Sequence, residues 1–197
     1  MLKWLEMASI ITSPLLKTYT LEEFWDLPEP PGREKLELIG GVLYMVPPPD
    51  GPHNETCAKL NRELTIYLAE RGDEGRLYIP RTALWTGPAT YVEPDLMYIS
   101  APRLATMSPS HLTSADLAVE VISPGSALYD RNTKAQTYQA MGVEELWLID
   151  PDSRTLESVG WPQDQSGEAV RQLFGQEEML RSELFPGFQP ALRTILP

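Results

Sequence analysis

An acid in the middle of an otherwise apolar strand constrains this chain more than any other feature. In "LAVEVIS", residues 117–123, Leu117, Ala118, Val119, Val121 and Ile122 suit a strand buried on both faces, and Glu120 interrupts them. A buried carboxylate with no partner is costly, so the fold must supply Glu120 with donors, a counter-charge or a proton. The run "ATYVEPDLMYIS", residues 89–100, repeats the anomaly. Tyr91, Val92, Leu96, Met97, Tyr98 and Ile99 favour a strand, whereas Pro94 offers a ladder no N–H and Asp95 disfavours strands and cores alike. Side chains alternate along a strand, so Asp116, Ala118, Glu120 and Ile122 share one face, as do Glu93, Asp95 and Met97. Two neighbouring strands can then bring Asp95 and Glu120 together, where like charges repel unless a cation sits between them.

The remaining elements follow from periodicity and punctuation. "TYTLEEFWDLP" predicts a short helix capped by Thr20 with Glu23 in the capping-box position, and the following prolines end it. "EKLELIGGVLYMV" predicts two strands joined at Gly40-Gly41, and "PPPDGP" a loop. From Asn54 to Arg71, Cys57, Leu60, Leu64 and Leu68 recur at helical spacing, with Asn54 as N-cap and Gly72 as the stop. "RLYIPRTALWT" reads as a further strand. A helix over 127–141 follows "LAVEVIS", with Ser126 as its N-cap. Strands "VEELWLIDP", "TLESVGW" and "AVRQLF" come next, the last two as a hairpin, and "SELFPGFQPALRTIL" stays unassigned. Helices alternating with strands predict an α/β fold, a central mixed sheet flanked by helices, with 117–123 and 143–151 joined by a crossover.

Composition narrows the class. A chain of 197 residues suits one domain with a sizeable core, here expected over 20–197 behind an N-terminal extension, 1–19. No apolar run approaches the roughly 18 residues needed to span a bilayer. Glu6 breaks the only signal-like stretch, which predicts a cytoplasmic protein without a membrane partner. Cys57 is the only cysteine, which excludes an intrachain disulfide and a thiolate metal cluster. Net charge is −12, against a general nucleic-acid coat protein. Acids exceed bases by 4 in residues 1–52, by 2 in 53–134 and by 6 in 135–197, so the stretch holding both anomalous strands is the most nearly neutral.

Paired carboxylates with few histidines point to Mg²⁺ or Mn²⁺ rather than zinc. Structural ion pairing is the competing reading, with Glu120 matched to Arg81 or Arg131 and Asp95 to a helix end. At this point the residues resemble a family. "EPD" followed by "VEVIS" is similar to the PD-(D/E)xK nuclease signature. With "LELIGGVLYMV", "DRNTKAQTYQAMGVEELWLIDP" and "LFPGF", the chain from about Thr20 to Pro190 resembles the Uma-type restriction endonuclease family. The resemblance implies a restriction-endonuclease-like core, a divalent cation and hydrolysis of DNA phosphodiesters. It makes Asp95 and Glu120 metal ligands together with the backbone carbonyl of Val121. The motif's lysine would fall at Ile122, a departure, and Lys134 on the following helix is the replacement. Asp130, four residues earlier, offers Lys134 an ordinary surface ion pair stabilising by about 0.3–0.5 kcal/mol as the alternative.

Glu37 occupies the family's "ELI-G" position, to bind metal, orient a ligand water or merely decorate the hairpin. His53, just before the second helix, could donate to a ligand of the site or contact phosphate, but a lone histidine there reads first as a cap or surface residue; Tyr138, Trp147 and Cys57 read as core. A homodimer would suit cutting both strands of a duplex. A different class of function also fits, a binding module that kept the fold and lost the reaction. Glycosidases use paired carboxylates too, but this resemblance supplies no sugar-stacking aromatics.

Overall fold

The structure, a computed structural model, describes residues 17–123, 129–162 and 168–197. The extension before Lys17 and the proposed cap Ser126 lie outside the described residues. Helix α1 (Leu21–Trp25) carries the expected capping box: Thr20 Oγ1 accepts from the Glu23 N–H, and Glu23 Oε2 accepts from the Thr20 N–H. Strands β1 (Lys35–Ile39) and β2 (Val42–Val46) form the hairpin, turning where Gly40 and Gly41 have φ of 56° and 83°. Helix α2 (Gly51–Glu70) starts inside the expected loop. Asp50, not Asn54, is its N-cap, and the Asp50 carboxylate accepts from the His53 N–H at 2.9 Å.

The two strand-like runs that follow are each divided. "RLYIPRTALWT" yields β3 (Arg76–Tyr78) and β4 (Leu84–Thr86). "TYVEPDLMYIS" yields β5 (Thr90–Val92) and β6 (Leu96–Ile99). A short helix α3 (Ala101–Leu104), which the sequence reading had not marked, leads to β7 (Leu117–Val121). A π-helical turn over Tyr129–Lys134 runs into α4 (Ala135–Ala140), where one continuous α-helix was expected. Strands β8 (Glu145–Asp150), β9 (Thr155–Gly160) and β10 (Val170–Gly175) complete the regular elements of the described residues, apart from a 3₁₀ turn at Leu192–Thr194.

The central sheet is mixed, in the order β10-β9-β8-β7-β6-β3, and β7–β8 is its parallel pair. A second sheet accompanies it, antiparallel throughout, in the order β2-β1-β5-β4. Residues 93–95 therefore carry the chain from the small sheet into the large one, and Pro94 stands at that joint. Strand β7 separates two apolar layers. Leu117, Val119 and Val121 pack with Leu60 and Leu64 of α2 and with Phe185, Phe188 and Leu192 from the unassigned C-terminal stretch. Ala118 and Ile122 face the other way, with Met97, Ile99, Ala135 and Tyr138. Alternation puts Glu120 on this second face, under the turn that carries Lys134. Among the described residues no helix is long and apolar enough to cross a membrane.

Candidate functional site

The acid after the ladder-breaker now has a physical account. Strand β6 begins only at Leu96, so the N–H of Val121 at the end of β7 meets the carboxylate of Asp95, whose Oδ2 accepts from it at 2.9 Å. Asp95 is anchored in turn by its own N–H, which donates to Val119 O at 3.0 Å. The backbone of β7 alternates: Ile122 N–H turns toward β8, bonding Ile149 O, while the N–H of Val121 turns toward Asp95. The Val121 carbonyl lies on that same side of the strand by the alternation.

Asp95, Glu120, Val121 and Lys134 line one cavity of about 350 Å³. Asp95 is 9% exposed, Glu120 3% and Lys134 1%, so all three lie at its floor. Ile122, in the slot where the motif puts its lysine, also lines the cavity, and the Lys134 ammonium is 2.9 Å from Glu120 Oε1. Neither Arg81 nor Arg131 is Glu120's partner. Arg81 is 3.6 Å from Glu93, and Arg131 pairs with Glu157 and Asp150. The Tyr138 hydroxyl donates to the same Oε1, so that tyrosine is a core residue with one polar duty. Asp130 does lie beside Lys134, at 3.9 Å, but both groups are buried and the surface-pair reading fails.

Glu37 does not reach the cavity wall. It is fully buried in β1, 3.2 Å from the Lys134 ammonium and 3.3 Å from Lys35. It also accepts from the Glu93 N–H at 3.0 Å and the Tyr129 hydroxyl at 2.9 Å. His53, for which the cap or surface reading was preferred over that of a donor beside the site, takes the donor's place. It lines the cavity, with Nε2 3.0 Å from Asp95 Oδ2 across 42 residues of sequence. The available signal was its position just inside the capped end of α2, which aims it past the Pro47–Pro49 loop.

Electrostatics divides the three acids. Burial alone would raise the pKa of Asp95, but the His53 hydrogen bond and the charges of His53, Lys35 and Lys134 hold it below the ordinary value. Burial acts on Glu37 in the same sense, and Lys134, Lys35 and the bonds from Glu93 and Tyr129 outweigh it. Glu120 goes the other way. Its burial, helped by Asp95, Asp130 and Glu37 and opposed by Lys134, pushes it up to about 8. Burial disfavours the Lys134 charge, yet its carboxylate neighbours raise its pKa well above that of a free lysine. Lys134 and Glu37 therefore make the ionised pair, and Glu120 is the acid whose charge is opposed.

Among the described residues no group of three or more His, Cys, Asp or Glu side chains is arranged to hold a metal ion. The donor set still fits a hard cation. Hydrogen bonds occupy Asp95 Oδ2 and Glu120 Oε1, which leaves Asp95 Oδ1, Glu120 Oε2 and the Val121 carbonyl as oxygen donors toward one cavity. A cation such as Mg²⁺, which keeps several waters, needs no more than one or two carboxylates.

A mixed sheet with its acids clustered at the end of two central strands, over a helix-borne lysine, belongs to the restriction-endonuclease-like class of α/β folds. Residues 21–195 match the Uma2 family, described as "Putative restriction endonuclease", and the chain belongs to that family. A crystal structure from Anabaena variabilis, described as "a putative nuclease", is similar with a TM-score of 0.73 at 18% identity, covering 90% of this chain and 97% of that one. An uncharacterized protein of Synechocystis, sll1609, is 29% identical over 120 residues, which are 59% of this chain and 67% of the relative.

Proposed function

We propose that this chain hydrolyses DNA phosphodiester bonds with Mg²⁺ or Mn²⁺ held by Asp95, Glu120 and the Val121 carbonyl. The observation that most supports it is the convergence of Asp95, Glu120 and Lys134 on one cavity, and the family and the solved neighbour point to a nuclease as well. A divalent cation bound there supplies the polarisation of a phosphoryl oxygen and a bound water of lowered pKa.

The chain's own groups divide the remaining work. Asp95, held ionised by His53 and the Val121 N–H, is ready as a ligand without first losing a proton. Ionisation of Glu120 is opposed by its neighbours, and Glu120 would hold a cation as the counter-charge that Lys134, shared with Glu37 and Asp130, supplies only in part. Lys134 stays protonated and cannot act as a general base. Its ammonium serves by electrostatic stabilisation of negative charge growing on the phosphoryl oxygens. Glu37, closed off from the cavity, keeps that ammonium in place.

The test is cleavage of circular single-stranded DNA and of supercoiled duplex DNA with Mg²⁺ or Mn²⁺. Wild type cuts, and Asp95→Asn cuts at least about 100-fold more slowly, since removing even an indirect partner of a metal typically costs 10–100-fold. Equal cleavage by both proteins sinks the assignment of Asp95. No cleavage of any DNA with either metal moves the reading to a binding module that retains the fold.

A further inference from the structure

We propose that the substrate is single-stranded DNA, taken one nucleotide at a time into the cavity, rather than the interior of a duplex; this rests on the nuclease reading above. Size argues first. About 350 Å³ is near the lower end of cavities that enclose one small ligand, and the groups assigned to the chemistry lie at its floor. A duplex cannot follow its phosphate into such a space, whereas a free strand can turn one nucleotide inward.

Rigidity argues second. Pro47, Pro48, Pro49, Pro52, Pro80 and Pro151 contribute to the walls, and each has a fixed φ. A mouth framed in this way resists the widening that a duplex would require.

Charge argues third. Surfaces that grip a duplex are extended and positive. This chain carries a net charge of −12, and its cavity is lined by five carboxylate residues against four lysines and arginines. Three of those four are already matched: Lys35 to Glu37 at 3.3 Å, Arg81 to Glu93 at 3.6 Å and Lys134 to Glu120 at 2.9 Å. Arg33, exposed at the mouth, is left to meet a phosphate. One free guanidinium suits one phosphate of a flexible strand. It does not suit the many phosphate contacts by which proteins hold duplexes.

The experiment uses one labelled DNA oligonucleotide of unstructured sequence, supplied alone and annealed to its complement, with Mn²⁺. Wild type is expected to cut the free strand at least about tenfold faster, a barrier difference of about 1.4 kcal/mol, because extruding a paired base costs more than that. Asp95→Asn cuts both forms at least about 100-fold more slowly. Equal or faster cleavage within the duplex overturns the inference and leaves the nuclease reading standing. Cleavage of the RNA version alone overturns both this inference and the DNA reading above. If wild type cuts neither DNA form, the nuclease reading falls, and this inference with it.

Discussion

Two acids are buried on adjacent strands of the large sheet, Glu120 on β7 and Glu145 on β8, and the fold satisfies them by opposite means. Glu145 meets neutral donors: Trp147 Nε1 and Ser158 Oγ at 2.6 Å each on Oε1, and Ser182 Oγ at 2.5 Å on Oε2. It does not line the cavity. Glu120 meets a shared lysine, one tyrosine and the repulsion of Asp95, Asp130 and Glu37, and it faces the cavity. A carboxylate held by neutral donors in a closed setting stabilises a core. One crowded by its own kind at a cavity floor marks a candidate functional site, and a cation is the counter-charge that the proposed function assigns to it.

That contrast can be broken in four ways. The largest effect is expected from Lys134→Met, which takes the shared ammonium away from Glu37, Glu120 and Asp130 in the interior. Stability in urea should fall by about 3–5 kcal/mol. A loss below about 1 kcal/mol would mean that water reaches these acids as readily as it reaches surface ones.

Glu120→Gln should separate chemistry from folding. The amide oxygen can still accept from Tyr138 and Lys134, so the thermal midpoint is kept or raised. Mn²⁺ affinity by calorimetry should drop at least about 100-fold. A midpoint loss as large as that of Lys134→Met would return Glu120 to the same structural role as Glu145.

The third effect depends on pH. Glu120 keeps its proton up to about 8 in the folded chain, against an ordinary value of 4.5. Between those values the folded state binds more protons than the unfolded one, so this group's contribution to stability is full below the ordinary carboxylate range. It is lost as pH rises through about 8. A cation must displace the same proton, so Mn²⁺ affinity should rise by up to about tenfold per pH unit in that window. Glu120→Gln should flatten both slopes, and slopes that persist in the variant would assign them to another group.

Smallest is Ser158→Ala, which removes one of the three side-chain donors to Glu145. It should cost about 1 kcal/mol in urea and leave Mn²⁺ binding unchanged. Weakened metal binding in that variant would show that the two buried acids are not independent.

The two acids were legible because each breaks a local rule: Glu120 and Asp95 interrupt apolar runs. Lys134 came only through the family resemblance, as the replacement for the lysine missing at Ile122. The contact of His53 with Asp95 was not legible, because nothing within one turn of α2 announces a partner 42 residues away. The second sheet was hidden for a related reason. "RLYIPRTALWT" and "TYVEPDLMYIS" each carry strand propensity from end to end, and only tertiary pairing decides that β4 and β5 leave β3 and β6. The N-cap of α2 was misplaced because the prolines before it read as loop, although proline is well tolerated in a first helical turn. The C-terminal stretch lacked periodicity, yet it covers one layer of the core through Phe185, Phe188 and Leu192.

The contacts around Lys134 also fix how early in the chain's synthesis the candidate site can form. Glu37 and the Tyr129 hydroxyl that binds it are 92 residues apart, and the joint at 93–95 gains its place only when both sheets have formed. A nascent chain that has already emerged with Asp95 and Glu120 still lacks the lysine between its acids, and β8 has not yet come to hold β7. The acids then repel one another instead of gathering. Contacts this distant in sequence close late, after the local hairpins. On the proposed function, the chain would therefore be synthesised in an inactive form and would gain its activity only once the whole sheet had closed.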